Sequence, residues 1–206
     1  MTHLILVRHG ESLWNKAGLW TGWTDIGLSE KGIDEAIQAG HSIKDIPIDE
    51  VYLSKLTRAK QTWEEIAKII RKESLPTHES EALNERDYGD YTGKNKWDLK
   101  NEFGSEKFYR IRRGFDEPIP NGETLKDVYN RTVPYFQNEI LPKLKDGKNI
   151  LISAHGNSLR ALVKYLDKIS DEDVSHLEIK TGEVYVYAFD KNGEITDKKV
   201  LSEHLQ

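Results

Sequence analysis

The hydrophobic positions of this chain form short apolar runs separated by amphipathic stretches. Leu4-Ile5-Leu6-Val7 is a continuous apolar run and predicts a buried strand over residues 3–7. Ile150-Leu151-Ile152 repeats the pattern and predicts a strand over 149–153, and Val51-Tyr52-Leu53 predicts a third, short one. Between these runs the apolar spacing turns helical. Ile33, Ala36, Ile37 and Ala39 predict a helix of about 29–45, capped by Ser29 and supported by Glu30. Ala59, Trp63, Ile66, Ala67 and Ile70 predict a helix that Thr57 can cap. Residues 81–93 read as irregular and polar, with Gly89 and Gly93. Short helices follow over about 95–103 and 105–112. A long one runs from about 123 to 145, bent or broken at Pro134, and another spans about 157–167. Residues 183–189 read as strand, and 194–201 as a last strand joined to it through Asn192-Gly193. This alternation predicts an α/β three-layer sandwich, a mainly parallel sheet with helices on both faces, in a single domain over 1–206.

Two of the apolar strands end alike, in Arg8-His9-Gly10-Glu11-Ser12 and in Ala154-His155-Gly156-Asn157-Ser158. Open α/β sheets place ligands at the carboxyl ends of their strands. If the two strands are neighbours, the imidazoles of His9 and His155 face each other over one pocket. Two histidines, the planar fork of Arg8 and glycine amides suit an oxyanion such as phosphate. Neutral imidazole is a competent nucleophile toward phosphorus, which would make His9 a phosphohistidine. His155 would then donate to the phosphoryl oxygens as their charge shifts. Arg58, at the start of a helix, opposes the helix dipole unless an anion lies nearby. Transfer to or from a hydroxyl needs a group to move its proton, and Glu85 is a candidate. Arg110-Ile111-Arg112-Arg113 is either a solvated helix face or a second anion site. Trp14, Trp20 and Trp23 read as core and pocket wall.

Composition narrows the choice. A net charge of −5 gives no basic field to draw the chain to nucleic acid or to an anionic membrane, so neither is expected as a partner. Hydrophobic content of 37% beside 32% charged residues supports one core under a well-solvated surface. The absence of cysteine excludes disulfides, thiolate catalysis and zinc–thiolate sites. The first residues lack the charged and apolar regions of a signal peptide, and no apolar run approaches the roughly 20 residues of a membrane span, so a cytoplasmic protein is expected. The phosphate loop, the dinucleotide glycine fingerprint and the zinc-protease helix motif are all missing. Asp171-Glu172-Asp173 follows Ser170 and reads as charge at a helix start rather than a metal cluster, so phosphoryl chemistry without a metal is expected. Asn130-Arg131-Thr132 matches a glycosylation acceptor by chance.

At these residues the chain resembles the cofactor-dependent phosphoglycerate mutases of the histidine phosphatase superfamily, over about residues 3–190. Arg8-His9-Gly10 alone points only to the superfamily. More specific are Trp20-Thr21-Gly22-Trp23, Leu83-Asn84-Glu85-Arg86 with Tyr88-Gly89, and Gly93 followed by Lys96. So are Tyr109 with Arg112-Arg113 and Phe115-Asp116, His155-Gly156-Asn157-Ser158-Leu159-Arg160, and Thr181-Gly182. The resemblance implies that His9 is the phosphohistidine, Glu85 the proton donor and acceptor, and His155 a stabiliser of the transferring group. It implies that Arg8 and Arg58 clamp the phosphate with Asn15 and the Gly156-Asn157 corner. Ser12, Thr21, Gly22, Tyr88, Lys96, Arg112 and Arg113 would line the rest and hold the substrate carboxylate or a second phosphate. The implied reaction interconverts 2- and 3-phosphoglycerate, small-molecule substrates of glycolysis and gluconeogenesis, with 2,3-bisphosphoglycerate as priming cofactor and intermediate. A phosphatase on the same scaffold and a non-enzymatic binding module stay open as alternatives. Oligomeric state is equally open, a homo-oligomer included. Three departures stand out: a short connection at Gly114–Asn121, Asp87 where many mutases carry histidine, and a divergent tail after about 190. The short connection is expected to leave the pocket more open to water.

Overall fold

A computed structural model describes residues 1–201. The end of the divergent tail lies outside the described residues. The elements, in order, are β1 Thr2–Arg8, α1 Leu13–Lys16, α2 Glu30–Ile43, β2 Glu50–Ser54, α3 Thr57–Ile70, β3 Thr77–Ser80, α4 Lys96–Phe103, α5 Ser105–Arg113, α6 Leu125–Tyr135, α7 Leu141–Lys145, β4 Ile150–Ala154, α8 Gly156–Leu166, β5 Val184–Phe189 and β6 Ile195–Leu201. The strands form one sheet in the order β3-β2-β4-β1-β5-β6. The pairings β3–β2, β2–β4 and β4–β1 are parallel, and β1–β5 and β5–β6 are antiparallel. The expected mainly parallel sheet is therefore present, with its antiparallel strands gathered at one edge.

The continuous apolar character of β1 follows from burial on both faces. Ile5 and Val7 pack with Ile43, Trp63 and Ile66 of α2 and α3. Leu4 and Leu6 pack on the other side with Phe136, Ile140, Leu159 and Leu162. A smaller cluster of Trp20, Tyr91, Leu99, Phe108, Ile111 and Ile119 lies under α4 and α5. Among the described residues no helix is long and apolar enough to cross a membrane.

Two local expectations change, and one strand is new. Thr57 does not cap α3: it is the first helical residue, and Leu56 at the cap makes no side-chain bond. The carboxylate of Asp25, from a distant segment, instead accepts the backbone N–H and the hydroxyl of Thr57 at 2.7 and 2.8 Å. The interruption expected at Pro134 is present: α6 ends at Tyr135, and the chain continues through a π-helical segment, Phe136–Ile140, into α7. Strand β3 carries no apolar alternation to announce it: Thr77-His78-Glu79-Ser80 is largely exposed and held by pairing to β2. Trp23 is not core. It is 39% exposed, and its indole N–H donates to the Glu85 carbonyl at 2.6 Å.

Two glycines let the first catalytic loop form. A Cβ on Gly32, in the first turn of α2, would lie 2.0 Å from the Glu11 carbonyl oxygen, and one on Gly10 would lie 2.0 Å from the Gly32 oxygen. The loop after β1 therefore lies directly against the backbone of α2. Glu11 ties it to the same helix end, accepting the hydroxyl of Ser29, the cap of α2, at 2.9 Å.

Candidate active site

Because β1 and β4 pair in parallel with Arg8 opposite Ala154, the residues that follow, His9 and His155, leave the sheet side by side. The His9 N–H still bonds to the Ala154 carbonyl at 3.0 Å. The ring centroids lie 4.9 Å apart, inclined at 60°. His9 Nδ1 is 2.6 Å from the Gly10 carbonyl oxygen, which can only accept, so Nδ1 carries the proton and Nε2 keeps its lone pair. Burial first, then the charges of Arg58 and Arg8, hold the His9 pKa well below the ordinary histidine value. His9 is thus a neutral imidazole with one free nitrogen.

His155 is fully buried, and its Nε2 lies 2.6 Å from the Ser54 hydroxyl at the end of β2. Ser54 Oγ already accepts the Leu56 N–H at 3.0 Å, and the arrangement that satisfies both groups has its hydroxyl donate to Nε2. The His155 proton then sits on Nδ1, which has no partner among the described residues. Burial, Arg58 and His9 keep this ring neutral as well. The result is a buried N–H donor, unpaired among the described residues, on the ring packed against His9.

The pocket in front of these rings is lined by Arg8, His9, Asn15, Thr21, Arg58, Glu85, Tyr88, Lys96, Arg112, Arg113, Gly156 and Asn157 among the residues expected there. Arg58 is 1% exposed and donates to the Gly22 and Thr24 carbonyls at 2.8 and 3.0 Å; burial brings its pKa down to about 10. Arg8 donates to the Ile179 carbonyl at 2.6 Å and keeps its Nε unpartnered. Glu85 spends one oxygen on three donors: the Arg86 N–H at 2.7 Å, the Asn157 N–H at 3.1 Å and the Asn157 amide at 2.9 Å. Its second oxygen has no hydrogen-bond partner among the described residues. Burial raises the carboxyl's pKa, but the Arg86 bond, Arg8, the Asn157 amide and Arg58 together leave it below the usual value. Elsewhere in the lining, burial and the charges of Arg112 and Arg8 bring Lys96 down to about 8, and burial with Arg113 lowers Arg112.

Ser12, Gly22 and His155 do not line this pocket. Ser12 is consumed as the cap of α1, its hydroxyl accepting the Asn15 N–H at 3.1 Å. Gly22 acts through its carbonyl on Arg58, and His155 lies behind the lining, against His9. Nor does any residue of 114–122 line it. That connection is bound to the turn at 87–90, where the Asp90 N–H reaches the Pro120 carbonyl at 3.0 Å. Asp87 accepts the Gly89 N–H at 2.9 Å, and its own N–H donates to Glu123 at 2.9 Å.

Residue-by-residue reading assigned no role to Arg160 or Glu178. Arg160 is 3% exposed and ties Asn157, Leu177, Val174 and the Arg113 carbonyl together at 2.7–3.0 Å. Its place in the Asn157-Ser158-Leu159-Arg160 run was the available signal. Among the described residues no group of three or more His, Cys, Asp or Glu is placed to hold a metal ion. Ser170 accepts the Asp173 N–H at 3.0 Å, in keeping with helix-start charge there. Thr132, of the sequence that mimics a glycosylation site, is buried and donates to the Ala82 carbonyl.

Residues 4–200 match the histidine phosphatase superfamily (branch 1). The 2,3-bisphosphoglycerate-dependent phosphoglycerate mutase of Parvibaculum lavamentivorans is 47% identical over 97% of this chain and 96% of its own. The protein of the same name from a Chelativorans species is 46% identical over 96% and 97%. Among solved structures, a phosphoserine phosphatase from Entamoeba histolytica in complex with 3-phosphoglyceric acid superposes with a TM-score of 0.77 at 25% identity, over 98% of each chain. The chain belongs to branch 1 of the histidine phosphatase superfamily, within the group formed by the 2,3-bisphosphoglycerate-dependent phosphoglycerate mutases.

Proposed function

We propose that this protein interconverts 2-phosphoglycerate and 3-phosphoglycerate through a phosphohistidine at His9, as a cytoplasmic enzyme of glycolysis and gluconeogenesis. The observation that carries this reading is a pocket lined by two sets of cations. Arg8 and Arg58 act on His9, and Lys96, Arg112 and Arg113 form a second set whose charges act on one another. Hydrolysis of a simple phosphomonoester needs only the first.

His9 Nε2 attacks phosphorus as the bond from phosphorus to the substrate oxygen breaks, and the phosphoryl group later returns to a hydroxyl by the reverse step. Glu85, an anion at neutral pH, takes the proton of the attacking hydroxyl through its unpartnered oxygen as the phosphoryl group leaves His9, and returns that proton to the departing oxygen in the reverse step. The Nδ1–H of His155, with Arg8 and Arg58, meets the charge that develops on the phosphoryl oxygens. The cofactor fits this chain: Arg8 Nε, Thr21 Oγ1 and His155 Nδ1 are buried polar atoms without partners, and a doubly phosphorylated ligand requires cations at both ends. When bound, 2,3-bisphosphoglycerate supplies the phosphoryl group that primes His9.

The test is conversion of 3-phosphoglycerate with and without 2,3-bisphosphoglycerate, with free phosphate measured in the same tubes. Cofactor-stimulated isomer with little free phosphate is expected. Free phosphate without isomer would make the protein a phosphatase and overturn the proposal.

A further inference from the structure

Glu178 has no part in the reaction just described, yet it and Glu85 are the two carboxylates in the pocket lining. Its segment is bound to arginines at every position. The Leu177 carbonyl accepts Arg160 Nε at 3.0 Å and Arg113 Nη1 at 3.4 Å, and the Ile179 carbonyl accepts Arg8 Nη1. Between them, the Glu178 carboxylate accepts Arg113 Nη2 in an ion pair. Each terminal nitrogen of Arg113 therefore gives one N–H to this segment. The side chains of Lys96 and Arg112, by contrast, make no hydrogen bond or ion pair among the described residues. The Glu178 side chain is 56% exposed and that of Arg113 is 15% exposed. Glu178 can thus leave into water while Arg113 stays in the wall.

We propose that Glu178 is a resident counter-anion on Arg113 which the second phosphate of a bisphosphoglycerate must displace, so that it selectively weakens the doubly phosphorylated ligand against monophosphoglycerates. The inference rests on the mutase reading for the identity of the ligands. The physical basis is charge. The repulsion from Glu178 scales with ligand charge, which is larger for the bisphosphate, and a freed guanidinium fork matches phosphate oxygens bidentately. Such a residue governs how readily the bisphosphate leaves between half-reactions without touching the reacting atoms. It is a positioning residue acting through Arg113.

Calorimetric titration on a His9→Ala background, where phosphoryl transfer to His9 cannot consume the ligand, tests this. Glu178→Gln should tighten 2,3-bisphosphoglycerate by about fivefold, the upper worth of a partly exposed ion pair, and 3-phosphoglycerate by about twofold or less. An equal change for both ligands, no change, or no binding of the bisphosphate overturns the proposal. Adding Arg113→Gln should abolish the effect of Glu178→Gln, and its persistence would mean that Glu178 does not act through Arg113. Glu106→Gln removes the same charge from the outer end of α5, where Glu106 pairs with Arg110; it should leave both affinities unchanged, and an equal tightening there overturns the proposal. Turnover by the unsubstituted enzyme is read separately. Free phosphate without isomer would sink the mutase reading, while the affinity ratio would still decide the role of Glu178.

Discussion

Lys96 is a pocket cation whose charge is lost just above neutral pH, because burial and the neighbouring Arg112 and Arg8 bring its ammonium down to about 8. Above that value the free enzyme loses a cation from the pocket. The expected outcome is a KM for 3-phosphoglycerate that rises from pH 8 upward while kcat changes less. Lys96→Arg should flatten that limb, since a guanidinium stays charged. A KM profile from neutrality to about pH 9.5 checks both. The histidines set the acid side. His9 and His155 are held neutral in the folded state, so the unfolded chain binds more protons once pH falls below about 6.5, and stability then declines with falling pH. Thermal melts should show a falling Tm between about pH 7 and 5, and a flat profile would contradict neutral burial. Glu85, held below the ordinary value, adds its own loss only at lower pH. Glu85→Gln should cost about 10²–10⁴ in kcat, measurable in the coupled isomerase assay.

At the scale of elements, the fit of α2 against the loop after β1 fixes where His9 stands. Gly32→Ala puts a Cβ on the Glu11 carbonyl, and backbone cannot swing aside as a side chain can. The expected cost is about 1–3 kcal/mol or more in chemical denaturation, with a loss of kcat in the refolded fraction. The amphipathic helices and apolar strands were legible in the sequence, because each is specified by its own residues: Ser29 caps α2 through the Gly32 N–H, and β1 reads as doubly buried. The shared His-Gly ending of two strands was legible for the same reason. What was hidden depends on distant partners. The cap of α3 comes from Asp25, β3 exists because β2 offers an edge, and Glu178 enters the pocket because its segment is bound to three arginines. None of these contacts leaves a trace in local periodicity. Pro134 follows the local rule: α6 ends one residue after it, at Tyr135, and the chain goes on through a π-helical segment whose Phe136 and Ile140 lie in the core.

Across the whole molecule, charge is divided between a surface that is acidic overall and a pocket where Arg8, Arg58, Lys96, Arg112, Arg113 and Arg160 outnumber two carboxylates. Attraction for an anionic substrate is therefore local. With a screening length of about 10 Å at 0.1 M salt, added salt should raise KM for phosphoglycerate and barely move Tm, which a salt series of kinetics and melts would show. The pairing of β1 with β4 carries one more consequence. His3 and Asn149 bond across 146 positions of sequence, and the two imidazoles meet over a similar span. A ribosome-bound chain that has not yet exposed β4 holds His9 without His155 or the Gly156-Asn157 corner. On the proposed reading such a chain has no site for bisphosphoglycerate to label. Labelling of His9 would then report that the strand from the start of the chain has found its neighbour from near the end.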